Sequence, residues 1–316
     1  MRTFFELVLV VTPLFALVFV GYGLARWAGW ARGLGGPLAR FVFNVAMPVM
    51  LFHLMSGLSN LPPVDGRLLL AYFGGCLIVF VLGRVVAAKV LKLDGVAGSI
   101  LALGGVFANT VLLGLPLARL TIGDAALPSV ALVLVFNALT LWTLVTVSVE
   151  WARHGSFSAA GFAKTAFKVT TNPVVASILL GSAWGFIAGH FGWALPRFIE
   201  MPMALLGQAA GPLALVSLGM GLVGYDPRAG WRISLAICAL KLIAHPLIVW
   251  GLAKLLHLPP VETQVVVLLA SMAAGANVYL MSRQFRVLEG PVAASLVLST
   301  GLAAITTPLA LMLAMH

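Results

Sequence analysis

Charge is what this chain lacks. Only 9% of its 316 residues are Asp, Glu, Lys or Arg, against 61% that are hydrophobic. Apolar runs of membrane-spanning length recur from one end to the other, which excludes a soluble globular domain and implies an integral membrane protein. Cysteine is nearly absent too. Cys76 and Cys238 each sit inside an apolar run without a neighbouring His or Cys, which leaves no place for a disulfide framework or a zinc site. Neither a metal nor a cofactor is expected. Of the nine acidic residues, none lies in the middle of an apolar run. A membrane protease would need a Ser/His pair, two aspartates or His-Glu-x-x-His at membrane depth, and no such set occurs, so an enzyme is not expected. His53 and His190 lie on separate runs and read as structural. The formal net charge of +10 comes from basic residues scattered singly over short connectors, which suits membrane orientation and not a nucleic acid partner.

What is present is ten apolar runs, at about 4–26, 36–57, 68–91, 98–119, 125–150, 170–190, 198–223, 231–256, 262–283 and 289–314. The first could pass for a signal peptide, but it carries Glu6 near its start and ends at Arg26 without a small-x-small cleavage pattern, so a retained helix is expected. Thirteen Lys and Arg residues, among them Arg26, Lys92, Lys164, Arg232 and Arg286, fall on the odd-numbered connectors and their flanks. Five fall on the even-numbered connectors and the termini. Basic residues favour cytoplasmic connectors, so this is expected to be a multi-pass protein of the cell inner (cytoplasmic) membrane with both termini outside the cytoplasm. Arg84, close to its helix end, is expected to snorkel to the cytoplasmic surface.

The two halves look alike. Trp30 matches Trp193 at an offset of 163, Pro48 matches Pro212 at 164, and Asn109 matches Asn277 at 168. With five runs per half, a duplicated unit must re-enter the bilayer upside down. The expected fold is therefore an all-α integral membrane protein of two inverted five-helix repeats, 1–150 and 170–316, joined by a cytoplasmic connector at 151–169.

Chemistry belongs where regular helix is broken. Non-helical backbone at mid-depth is tolerated only where protein buries it or it lines a watery cavity. In the fourth run Pro116 cannot donate to the carbonyl four residues earlier, Gly114 lowers helical preference, and Asn109 and Thr110 can satisfy loosened backbone groups. In the ninth run Gly275 and Asn277 offer the same loosening without a proline. Two such breaks would aim half-helix N-termini and amide donors at one central point, which suits a carboxylate; either alone could be an ordinary kink. Lys241 lies near mid-bilayer, with His245 four residues on along the same face. It has no carboxylate partner within the spans, so it reads either as positive charge for an incoming anion or as a donor to loosened backbone carbonyls.

Against this background, ARFVFNVAMPVMLFHLMS (39–56), with Pro48, Phe52 and His53, resembles the second helix of the auxin efflux carrier family. That family includes plant PIN-formed auxin carriers and bacterial permeases assigned to malate and malonate. ANTVLLGLPL (108–117) resembles its fourth helix, and NPVVASILLG (172–181), KLIAHPLIVW (241–250) and SMAAGANVYLMSRQF (271–285) extend the likeness along nearly the whole chain. The resemblance implies that helices four and nine cross at mid-membrane and hold the substrate's carboxylate. It implies a scaffold from helices one, two, six and seven, and a transport domain from helices three to five and eight to ten that moves like an elevator. Carried onto this chain, Asn109, Thr110 and Pro116 belong to the first crossing segment, and Gly275, Ala276 and Asn277 to the second. The chain lacks the long cytoplasmic loop of the plant carriers, and AYFGGCLIVF (71–80) has no acidic residue where they carry an aspartate, so auxin is disfavoured as substrate.

The resulting expectation is an elevator-type secondary transporter of a small organic anion, a mono- or dicarboxylate, bound by Asn109, Thr110, Gly114, Pro116, Lys241, His245, Gly275, Ala276 and Asn277. Two rivals stand beside it. A sodium-coupled symporter of the bile-acid type would be expected to gather acidic and hydroxyl ligands, and a passive anion channel could also be lined by broken helices. Expected partners are the anion and the lipid bilayer. A homodimer is open, since the small-residue surface LLGSAWGFIAG (179–189) could pack against a second subunit or within the chain.

Overall fold

A backbone surrounded by hydrocarbon must satisfy its own polar groups, which makes helix the default for each of these apolar runs. The computed structural model describes residues 4–31, 33–57, 64–154, 173–224 and 230–315, and it is all-helical. In chain order the helices are α1 (Phe4–Trp27), α2 (Gly35–Phe41) running into α3 (Met47–Ser56), α4 (Arg67–Lys89), α5 (Gly95–Val106), α6 (Leu115–Thr121), α7 (Leu127–His154), α8 (Pro173–Phe191) and α9 (Arg197–Leu222). They continue with α10 (Trp231–Ala239) running into α11 (His245–Leu255), α12 (Pro260–Ser271), α13 (Ala276–Phe285) and α14 (Glu289–Met315). Six stretches among the described residues are long and apolar enough to cross a membrane: Gly35–Ser56, Arg67–Lys89, Asp124–Ala152, Arg197–Leu222, Trp231–Leu255 and Glu289–Met315. The fourth and ninth apolar runs are each interrupted, α5 from α6 and α12 from α13. Most of the 151–169 connector lies outside the described residues.

Three helices widen at the same place relative to a proline. Val42–Ala46, Thr110–Gly114 and Leu240–Ala244 form π-helical turns ahead of Pro48, Pro116 and Pro246. A proline ring crowds the carbonyl four residues back and offers it no N–H. The residue before each proline bonds five residues back instead: Met47 N–H to Val42 O, Leu115 N–H to Thr110 O, and His245 N–H to Leu240 O. This corrects the expectation that Pro116 breaks the fourth run. Helix is lost at residues 107–109, beyond the four-residue reach of the ring, and the proline only widens the turn that follows.

Packing joins α1 to both α9 and α14. α1 lies along α9 and α3 along α8, with α3 and α9 also touching; α4 packs on α5 and α11, α5 on α7, and α12 on α11 and α14. A Cβ on Gly21 would collide with the backbone of Val216, and one on Gly219 with the backbone of Val18, so small residues let α1 and α9 lie backbone to backbone. Arg84 finds its acceptors at the start of α5. Its Nη1 donates to Gly95 O and, at 2.9 Å, to Ser99 Oγ, which lies 2.8 Å from Ser148 Oγ.

Candidate functional site

The two interruptions meet. Residues 107–109 and 272–275 run antiparallel, with Asn109 N–H donating to Ala273 O and Gly275 N–H donating to Phe107 O, both at 2.8 Å, and Ala108 facing Ala274. Each segment thereby supplies the partners that hydrocarbon would deny the other. Ser299 on α14 accepts from Ala274 N–H at 3.1 Å, pinning the second segment from outside. Close approach demands glycine at one point: a Cβ on Gly275 would stand 2.9 Å from Ala108 O.

Helix restarts at once on both sides. Leu113 and Gly114 N–H return to Asn109 O at 3.3 and 3.0 Å, and Val278 N–H returns to Gly275 O at 3.0 Å. Asn109 and Gly275 thus open two helical N-termini, whose first-turn N–H groups carry partial positive charge. Asn109 and Thr110 are buried, and Asn277, in the first turn of α13, is half-buried. Of the expected site residues, Asn109, Thr110, Gly275, Ala276 and Asn277 therefore lie on the two segments that meet or directly follow them. Gly114 stands further on, where a Cβ would come 2.8 Å from Leu269 Cδ2, so its small size serves packing against α12.

Lys241 is wholly buried on the π-turn between α10 and α11. Its Nζ donates to Ala270 O, in the last turn of α12, at 2.6 Å and lies 2.8 Å from His245 Nδ1; His245 Nε2 is 3.3 Å from Cys76 Sγ on α4. Ala270 O is one of the last carbonyls of a helix that stops short of the crossing, a group left without an intrahelical partner. Of the two sequence readings of Lys241, the geometry displays the carbonyl donor: Lys241 and His245 adjoin the crossing through α12.

A cavity of about 510 Å³ runs between α3, α6 and α9, walled by Met50, Leu54, Leu115, Pro116, Gln208 and Gly211. It places Pro116 on a cavity wall, in the half-helix that starts at the crossing. Arg119, also lining the cavity, pairs with Asp124 at 2.9 Å, and His53 faces Glu200 at 4.0 Å.

Sequence reasoning passed over two residues. Ser299 gives no signal, since a hydroxyl within an apolar run is ordinary. Asn137 does give one, a carboxamide at the centre of the apolar run LVLVFNALT (132–140). It is 4% exposed, and its Oδ1 has no hydrogen-bond partner among the described residues.

Comparison with known proteins agrees with this architecture. The membrane transport protein family matches residues 7–160 and 162–311. A Rhizobium meliloti (strain 1021) protein named "Putative malonate transporter" is 27% identical over 307 residues, covering 95% of this chain and 93% of the relative. "Auxin efflux carrier component 5" of Arabidopsis thaliana is 22% identical over 283 residues, 77% of this chain and 78% of that protein. With nearly its whole length matched, the chain belongs to the membrane transport protein family, the transporter family of the auxin efflux carriers.

Proposed function

We propose that this protein is a carrier for a small organic anion, a mono- or dicarboxylate, held where the two interrupted helices cross. The observation that carries the reading is the antiparallel pair of backbone hydrogen bonds at residues 107–109 and 273–275, from which two helical N-termini start. Converging first-turn N–H groups with the Asn109 and Asn277 amides favour a carboxylate in a dry setting. Thr110, Gly275 and Ala276 shape the same spot, while Gly114 and Pro116 set the course of the half-helix toward the 510 Å³ cavity. Lys241 and His245 act across α12 and not by touching the substrate. The relative named for malonate supports a carboxylate.

The same reading takes the chain as two inverted repeats moving as an elevator. Supporting it are the offsets of 163, 164 and 168 between Trp30 and Trp193, Pro48 and Pro212, and Asn109 and Asn277. The packing pairs also match across the halves: α1 on α9 answers α8 on α3, and α5 on α7 answers α12 on α14. The set α1, α2–α3, α8 and α9 is the scaffold, and the rest carries the site across the cytoplasmic membrane, both termini lying outside. An anion moving outward gains about 2.3 kcal/mol per charge per 100 mV from an inside-negative potential, so export needs no coupling ion.

The test is flux into proteoliposomes with malonate, malate, succinate and butyrate as probes. Asn109→Ala and Asn277→Ala are expected to lower saturable uptake at least tenfold while the protein still folds. Wild-type uptake by both variants refutes the site.

A further inference from the structure

A second cavity, of about 400 Å³, lies where α3 ends, α8 ends and α9 begins, with His53, Ser56, Trp184, Trp193 and Glu200 among its walls. Small residues make the room. Trp184 and Ala188 lie one turn apart on α8, and Gly192, at φ 65°, ends that helix and turns the chain so that Trp193 N–H donates back to Ala188 O at 2.9 Å. The Trp193 ring stacks on Phe191 with centroids 5.2 Å apart. Helix ends of a membrane protein meet the boundary between hydrocarbon and water, where tryptophan is at home. Phe186, Phe191 and Phe198, on the same ends of α8 and α9, are 77%, 61% and 78% exposed.

Electrostatics sort the ligands this cavity can take. α3 and α8 both end here, and each C-terminus carries roughly half a negative elementary charge. Glu200 adds a carboxylate, and among the described residues lining the cavity His53 is the one basic group, its Nε2 4.0 Å from a Glu200 oxygen. A carboxylate is disfavoured in such a place. An ammonium is drawn in, and two indoles on the walls suit it further. Arg197, the first residue of α9, lies one turn from Glu200, a spacing of about 5–6 Å between Cβ atoms. A helix N-terminus that opens on an arginine favours a phosphate, so negative and positive partners stand about as far apart as a phosphate and an ammonium joined by two methylenes. We propose that this cavity holds the zwitterionic headgroup of a membrane phospholipid, its ammonium at Glu200 and the indoles, its phosphate toward Arg197, and its acyl chains along the exposed phenylalanines. The proposal does not depend on where the transported acid binds.

The test titrates lipid into purified protein in detergent and follows the melting temperature. Dioleoylphosphatidylethanolamine and dioleoylphosphatidylcholine are expected to raise it; dioleoylphosphatidylglycerol, with the same chains and no ammonium, is expected to raise it less. In Glu200→Gln and Trp193→Ala, the phosphatidylethanolamine concentration that gives half the shift is expected to rise about fivefold. Without lipid, Glu200→Gln should melt near wild type, because an exposed ion pair contributes little. Arg197→Gln, at the phosphate end, carries the test if either variant does not fold. Equal stabilisation by phosphatidylethanolamine and phosphatidylglycerol, or wild-type titrations in the variants, overturns the proposal. A full shift with soluble phosphoethanolamine overturns it too, since the cavity would then serve a free amine and not a lipid.

Discussion

Replacing Gly275 by alanine probes the crossing with a single methyl group. The added Cβ would lie 2.9 Å from Ala108 O, 3.2 Å from Ala108 C and 3.4 Å from Asn109 N. All three are backbone atoms, so no side chain can swing away. Either the segments stay together and absorb overpacking of about 1–3 kcal/mol, or they part and weaken two backbone hydrogen bonds, each contributing about 0.5–1.5 kcal/mol. Both routes converge on a loss of about 1–3 kcal/mol, which lowers the melting temperature by a few degrees in a chain of this size. The comparison is Gly114→Ala, whose Cβ would meet Leu269 Cδ2 at 2.8 Å. That atom is the end of a rotatable side chain, so a smaller loss is expected there. Thermal unfolding in detergent and acid uptake in proteoliposomes should both fall for Gly275→Ala and fall less for Gly114→Ala. A Gly275→Ala protein with wild-type melting and uptake would show that the close approach at Ala108 does no work, and the reasoning would be wrong.

Two more outcomes follow from the same region. Lys241→Met, similar in length but without a donor, leaves Ala270 O unanswered in the interior and should cost about 1–3 kcal/mol, read as a lowered melting temperature; an unchanged one would remove the anchor. Ser299→Ala leaves Ala274 N–H without its acceptor, and the expected result is faster amide exchange at residues 272–275, with Ser299→Thr restoring protection.

Hydropathy alone made much of the fold legible, because a run of apolar residues in lipid has helix as its main option. Asn109 and Asn277 flagged the interruptions, since an amide inside such a run marks backbone in need of partners. The cause assigned to the first interruption was wrong in detail: proline acts over one turn, and helix fails further upstream at 107–109. Lys241 could be recognised as costly and as a donor to some loosened carbonyl, but which carbonyl could not be read, because the main chain at residue 270 has no letter of its own. The acceptor of Arg84, the carbonyl of Gly95, was hidden for the same reason.

The handshake at the crossing is made by main chain with main chain, so it is blind to side-chain identity apart from the glycine. Residues beside it can drift without unfastening the architecture, and with the substrate held there, as proposed, a few neighbouring changes would suffice for one framework to accept new cargo. Two relatives at 27% and 22% identity, named for different compounds, are what such a separation of chassis from selectivity leads one to expect.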